Sequence, residues 1–451
     1  MTPILKAFHP VLLLGALAMG ACDFNIDNPN SPNTIGENPN RSEVAAAATG
    51  LLIATRADVA DWALKGAILG REAYRLDGAD PRQYGELEHG PLDAGSRAFG
   101  GNHWGEEYAA IRSANDLLRV LPTAASLNAE EQSGVSGYAH TLQAYNFIIV
   151  LDSHSQDSIP IDVGTDVSAP PAPFVTRVQA FDHVVALLDA AATELAAGGA
   201  AFPFTLPAGF SGFNTPATFV FFNRALLARV EVYRGNYDAA LTALTASFID
   251  PAAPLDKGVY MDFSAGPGDL TNALAIDPQT GENFGHPLLE TQAKLQSDGI
   301  SLDRRFLTKL VKRQPRSLGT PQVLTSDLGW IRYPSPNSPI PLIKNEELIL
   351  LRAEANIGRN DLVSALPDLN LVRQTSGGLP VYTGVVDQPS LLTELLYNKR
   401  YSLLYEGGHS WIDYRRYGRT GDLVGFDRPG PPPDQIFATL PIPTAEVQQR
   451  Q

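Results

Sequence analysis

Trp330, Arg332 and Tyr333 stand within four positions of one another, directly before Pro334, in a stretch rich in Gly, Pro and Asp. Trp and Tyr present a flat apolar face with a polar tip, and Arg supplies hydrogen-bond donors. Such a cluster suits a ligand with an apolar ring face and a hydroxyl rim, as a sugar has. Tyr84 and Tyr260 are also aromatics set in polar loops, and they join Trp330, Arg332 and Tyr333 as the expected ligand-binding residues. The same residues would serve equally as a hydrophobic plug beneath their loop. Bond-making chemistry has less support. The chain contains no H-E-x-x-H, G-x-S-x-G, G-x-x-x-x-G-K-[ST] or G-x-G-x-x-G pattern, and its eight His are scattered. The pairs Glu106/Glu107, Glu130/Glu131 and Glu346/Glu347 fall at helix starts or on helix faces, where solvation or dipole compensation accounts for them. Asp157, Asp162 and Asp166 have a spacing that fits no standard calcium loop. No catalytic residue, metal site or cofactor is therefore expected.

The single cysteine, Cys22, is informative through its position. Lys6 gives a positive start, Val11 to Met19 is an apolar run of signal-peptide length, and Gly20-Ala21 places small residues directly before Cys22. That arrangement predicts a lipoprotein signal peptide over 1–21 and a lipid on Cys22, which would then be the only membrane anchor. Residues 22–41 are rich in Asn and Pro and read as an extended tether. The formal net charge of −15 argues against nucleic acid, which calls for clustered Lys and Arg.

The elements that would position these residues are mostly helices. Ser42 to Ala63, Trp104 onward, Glu130 to Val150 and Arg177 to Leu195 each carry helical apolar periodicity. Thr215-Pro216 starts a further helix, with threonine at the cap and proline in the first turn. Leu227 to Gly235 and Leu350 to Gly358 form an internal repeat: Arg, then Glu two residues later, then Gly four after that, followed by a second helix. Helix–glycine–helix units of this kind look like tetratricopeptide pairs. Irregular, loop-rich insertions are expected near 76–103 and 248–337, within one domain spanning 42–451. Trp104 and Trp411 sit on helical stripes and read as core, and Trp62, near the end of the first helix, reads as packing too.

Residues 393–418 organise the rest. Leu392, Leu395, Leu396, Leu403 and Leu404 make an apolar stripe, Gly407 and Gly408 end it, and Trp411, Tyr414 and Tyr417 face a second short helix. Charges next to apolar stripes call for partners, so an Arg400/Glu406/Arg415-type network is expected to lock this hairpin onto the body. In order, Glu394, Arg400, Leu404, Glu406, Gly407, His409, Trp411, Asp413 and Arg416 resemble the C-terminal signature of the SusD/RagB family. The resemblance extends to the Asn28-Pro29-Asn30-Ser31-Pro32 run, the Trp104/Tyr108/Ile111/Asn115 helix, Ala353-Glu354-Ala355 and Leu440 to Glu446. The Asn-Pro-rich tail usual at the family's end is missing or altered.

The resemblance implies a mostly α-helical fold in which tetratricopeptide-like helix pairs form a curved scaffold for loop-rich insertions. It implies an outer-membrane lipoprotein that captures a glycan, oligosaccharide or peptide without chemistry and delivers it to a SusC-like TonB-dependent transporter. The alternatives are a lipid-anchored glycan-acting enzyme and a helical-repeat assembly lipoprotein.

Overall fold

Several of the long helices begin where a short polar side chain takes up the free amides of the first turn. In the computed structural model, Asn40 accepts hydrogen bonds from the N–H groups of Ser42 and Glu43 (2.9 and 3.1 Å), and Glu43 reaches back to the Asn40 N–H (2.7 Å). Asn128/Glu131 and Thr176/Gln179 repeat this reciprocal cap. The structure describes residues 35–450, except 97–98, 100–101, 155–157, 167–168 and 320–321. The signal peptide, Cys22, most of the tether and Asp157 lie outside the described residues.

In chain order the principal helices are α1 (Arg41–Arg56), α2 (Val59–Leu69), α3 (Asn102–Val120), α4 (Ala129–Ser153), α5 (Arg177–Ala196), α6 (Pro216–Arg234) and α7 (Tyr237–Thr245). They continue as α8 (Asn345–Gly358), α9 (Leu362–Thr375), α10 (Gln388–Ser402) and α11 (His409–Arg416). Helices dominate, as the periodicity predicts. Successive helices from α3 to α7 pack each on the next, and α8 packs on α6, α7, α9 and α10. The two copies of the internal repeat, α6–α7 and α8–α9, are thus neighbours. One apolar core runs from Val44 and Leu51 through Phe147 and Phe219 to Leu404 and Trp411, and a second joins Ile349, Leu369 and Leu395. Trp62, Trp104 and Trp411 are buried, as expected. Among the described residues no helix is long and apolar enough to cross a membrane.

The expected single helix over 42–63 is two helices, broken at Ala57–Asp58. At the break, buried Asp58 turns its carboxylate onto the ring of buried His103. The insertion expected to be irregular over 248–337 also carries strands. Strands β1 (Ala73–Arg75), β2 (Gly258–Met261), β3 (Asn283–Gly285), β4 (Leu310–Leu318), β5 (Leu324–Trp330) and β6 (Ile340–Lys344) build two small antiparallel sheets. One has the order β1-β3-β5-β4, with Tyr74 opposite Phe284, Phe284 opposite Gly329 and Leu310 opposite Trp330. The other pairs β2 with β6 and feeds directly into α8. Pro315 hides β4 from a sequence reading. It lacks a ladder donor, and it falls inside the register break between Lys312 and Arg316 on an edge strand.

Candidate functional site

Helix α10 ends at Ser402, so Leu403 and Leu404 are buried just beyond the helix rather than on its stripe. The chain then reverses through left-handed residues at Tyr405 (φ +63°) and Gly408 (φ +72°), whereas Gly407 is not left-handed. Gly408 lies against Gly66 of α2, where a Cβ built on Gly66 would come within 2.5 Å of the Gly408 Cα. A non-glycine residue in the left-handed region is held there by its surroundings. For Tyr405 these are Trp330, stacked on its ring at 4.1 Å and 10°, the Tyr333 hydroxyl donating to its carbonyl (3.0 Å), and Glu72 accepting its N–H (2.9 Å).

This geometry corrects the reading of Trp330 and Tyr333. Both are buried, 2% and 3% exposed, and brace the hairpin instead of presenting a face to solvent. The expected charge network is also different. Arg400, Glu406 and Arg415 do not pair with one another. Arg400 donates to the Arg71 carbonyl (2.7 Å) and Gln292 (2.5 Å), and Arg415 donates to the carbonyls of Trp411, Ala438 and Asp152 while lying 3.4 Å over the Trp411 ring. Buried Glu406 instead gathers Lys344 (2.8 Å), Arg332 (3.1 Å) and Lys309 (3.2 Å). Burial would raise its pKa, but Lys309, Lys344 and Arg332 hold the carboxyl well below the usual carboxylate range. Burial outweighs Glu406 at Lys309 and brings that ammonium down to about 8. A second network, missed in sequence, sets Glu354 and Asp413 against Lys399 (2.8 Å to each) and Arg416. Glu346 and Glu347 are buried ion-pair partners of Lys344 (3.3 Å) and Arg229 (2.7 Å), not solvated pairs, and Glu107 is buried too.

Arg332 is the outward member of the Glu406 cluster, with its side chain 24% exposed and its guanidinium 4.8 Å over the Tyr333 ring. Its charge and that of Glu406 reach Tyr260, so three of the five expected residues share this neighbourhood with Tyr260 nearby. Tyr84 stands apart, packed with Tyr74, Leu76 and Phe284.

Tyr260 opens onto a cavity. The β2–β6 ladder exposes one side of Tyr260 to a cleft of about 600 Å³, walled by Phe213, Phe221 and Phe248 and edged by Asp256, Lys257 and Asp262. Tyr260 donates its hydroxyl to the Asp256 carbonyl, and Asp262 accepts the Gly209 N–H (2.5 Å). Phe221 is 40% exposed within it. On the other side of Asp262 a cavity of about 750 Å³ is lined by Tyr138, Phe204, Phe263 and Leu270, with Arg56 held by the Asp262 carbonyl (3.0 Å) and by Asp269. Aromatic walls with few polar groups at the edge suit an amphipathic ring ligand. The phenylalanines carried no sequence signal for this role, because nothing local to Phe213, Phe221 or Phe248 shows that they meet around one cleft.

Among the described residues two side-chain clusters have metal-like spacing, Asp58/Asp61/His103 and Glu88/Asp427/Asp434. Their charges are met by internal cations: Lys65 on Asp61, Arg71 on Glu88 (3.0 Å) and Asp427 (2.8 Å), and Arg428 on Asp434 (2.9 Å).

No family model matches this chain, and no curated protein matches it. Solved structures do. A SusD superfamily protein from Bacteroides vulgatus superposes with a TM-score of 0.70 at 14% identity, covering 92% of this chain and 98% of its own. A SusD-like carbohydrate-binding protein from Bacteroides fragilis gives 0.69 at 16% identity, over 91% and 98%. A laminarin-binding SusD-like protein gives 0.60 at 15% identity, over 92% and 98%. Helix pairs, insertions and the C-terminal hairpin together cover nearly the whole length of these proteins: the chain has the SusD-like fold.

Proposed function

We propose that this protein is a SusD-like lipoprotein that binds a glycan at the cell surface and hands it to a TonB-dependent outer-membrane transporter without transforming it. The observation that carries the reading is the length of the match: about nine-tenths of the chain follows structures that include a SusD-like carbohydrate-binding protein and a laminarin-binding one. The cleft beside Tyr260 supports the reading with a ring-binding surface of suitable chemistry, and a lipid on Cys22, after removal of a signal peptide over 1–21, would be the anchor.

The anchor and the partner are tested together in cells. Native protein is expected in the outer-membrane fraction, bringing down a large barrel protein after detergent extraction, and Cys22→Ser is expected to leave the membrane. A Cys22→Ser variant that stays membrane-bound contradicts the anchor. Purification without any barrel protein contradicts delivery to a transporter.

A further inference from the structure

The two cavities beside Asp262 are divided by a wall only two segments thick, 207–209 packed on 260–262, where Gly209 has no room for a Cβ beside the Tyr260 carbonyl. Along β2 and just past it the residues take turns. Tyr260 lines the phenylalanine-walled cleft, Met261 lines the larger cavity of about 750 Å³, and Asp262 contributes to both. Its carboxylate accepts the Gly209 N–H (2.5 Å), and its carbonyl accepts from Arg56 (3.0 Å).

The larger cavity is distinguished by what its polar atoms have left to give. The Tyr138 hydroxyl donates to the Ala48 carbonyl and the Thr49 hydroxyl to the Ala45 carbonyl (2.9 Å each). Arg56 directs one terminal nitrogen to the Asp262 carbonyl and the other to the Asp269 carboxylate. Its Nε–H is buried and has no hydrogen-bond partner among the described residues. A buried donor left unmade is costly, so an acceptor brought by a ligand gains there. Around this donor the walls are apolar: Leu52, Phe204, Met261 and Phe263 line the interior, and the exposed side chains of Ile53 and Leu270 mark the mouth.

These surroundings narrow the class of ligand. A sugar ring carries hydroxyls around its rim, and most would lose water here without gaining a partner. An anion is no better placed, because Asp269 already meets the Arg56 charge and Asp262 adds a second carboxylate at the wall. A neutral body with a flat face for Phe204 and Phe263, and one oxygen for Arg56, satisfies all of these groups. We propose that this cavity binds an uncharged aryl group carrying a carbonyl or ether oxygen, with that oxygen accepting from the Arg56 Nε–H. Among the described residues the two cavities share Asp262 only, so the assignment stands whether or not glycans bind beside Tyr260.

NMR titration of the native protein with methyl benzoate, benzoate and toluene tests the assignment. Methyl benzoate is expected to bind saturably. Benzoate and toluene are each expected to bind about tenfold more weakly, the first for its charge and the second for its missing acceptor. Leu270→Trp and Ile53→Trp fill the mouth from exposed positions, and each is expected to weaken methyl benzoate about tenfold at an unchanged melting temperature. Phe221→Ala, in the neighbouring cleft, is expected to leave it unaltered. Failure of methyl benzoate to bind, equal binding of benzoate or toluene, or a loss in Phe221→Ala instead of the tryptophan variants would each overturn the proposal. Full affinity in both folded tryptophan variants would overturn it as well. If neither folds, the three-ligand comparison on native protein and Phe221→Ala decides alone.

Discussion

Glu406 draws cations from three separate segments: Lys309 beside β4, Arg332 after β5 and Lys344 at the end of β6. Removing one member of a buried ion cluster strands the others, at roughly 3–5 kcal/mol. Glu406→Gln is therefore expected to lower unfolding free energy by about that amount in a denaturant titration. Trp330→Ala removes the ring stacked on Tyr405 and is expected to cost about 3–5 kcal/mol, as truncating a buried large aromatic does. A Trp330→Ala protein as stable as native would return Trp330 to the ligand surface. Burial depresses the pKa of His409 to about 4 and of His154 to about 3, so both are neutral when folded, while unfolded histidine titrates near 6.5. Each contributes stability that is full above pH 6.5 and lost as the pH falls through about 4 and 3 respectively. Glu72 and Glu88, raised by burial to about 7 and 8, slope the opposite way between pH 4.5 and those values. The test is consequently a difference: His409→Gln should flatten the fall of melting temperature between pH 6.5 and 4, and an unaltered slope contradicts it. At this scale the sequence showed that Glu406 needed partners but not which ones. Lys309 and Lys344 come from segments 97 and 62 residues away, and no periodicity marks them.

The hairpin formed by α10 and α11 is fixed to α2 by contact of two glycines. With a Gly66 Cβ 2.5 Å from the Gly408 backbone, Gly66→Ala must push the turn away from α2. Overpacking of this kind costs about 1–3 kcal/mol, readable as a lower denaturation midpoint with unchanged slope; a neutral result contradicts the contact. The helix starts and the internal repeat were legible because caps and glycine ends are local. Gly235 takes the left-handed position (φ +76°) as expected, while in the second copy that role passes to Asn360 (φ +60°). Matching repeat positions also part company: Glu231 meets its neighbour Arg234, whereas Glu354 reaches Lys399 and Arg416. The break at Asp58 and the strands of the insertion were not legible. Each depends on a distant partner, His103 in one case and the pairing of β1, β3, β5 and β4 in the other.

Over the whole molecule, helix pairs supply a packed frame and the 248–337 insertion supplies the cleft wall at Tyr260. That division of labour is what the hairpin signature implied, and it was readable because the signature residues are those that lock hairpin to frame. The ligand residues were less readable, since an aromatic in a polar loop can face either way: Trp330 and Tyr333 turn inward, and Tyr260 turns outward. Phe221 gives the cleanest probe of the cleft, because it is 40% exposed and its loss opens no cavity. The most direct measurement is calorimetric titration of native protein and Phe221→Ala with a panel of neutral oligosaccharides, with reducing ends assayed in the same samples. The account predicts that at least one glycan binds, that Phe221→Ala weakens it by roughly tenfold without loss of melting temperature, and that no new reducing ends form. Absence of binding across the panel, or steady release of reducing ends by the native protein, would contradict it.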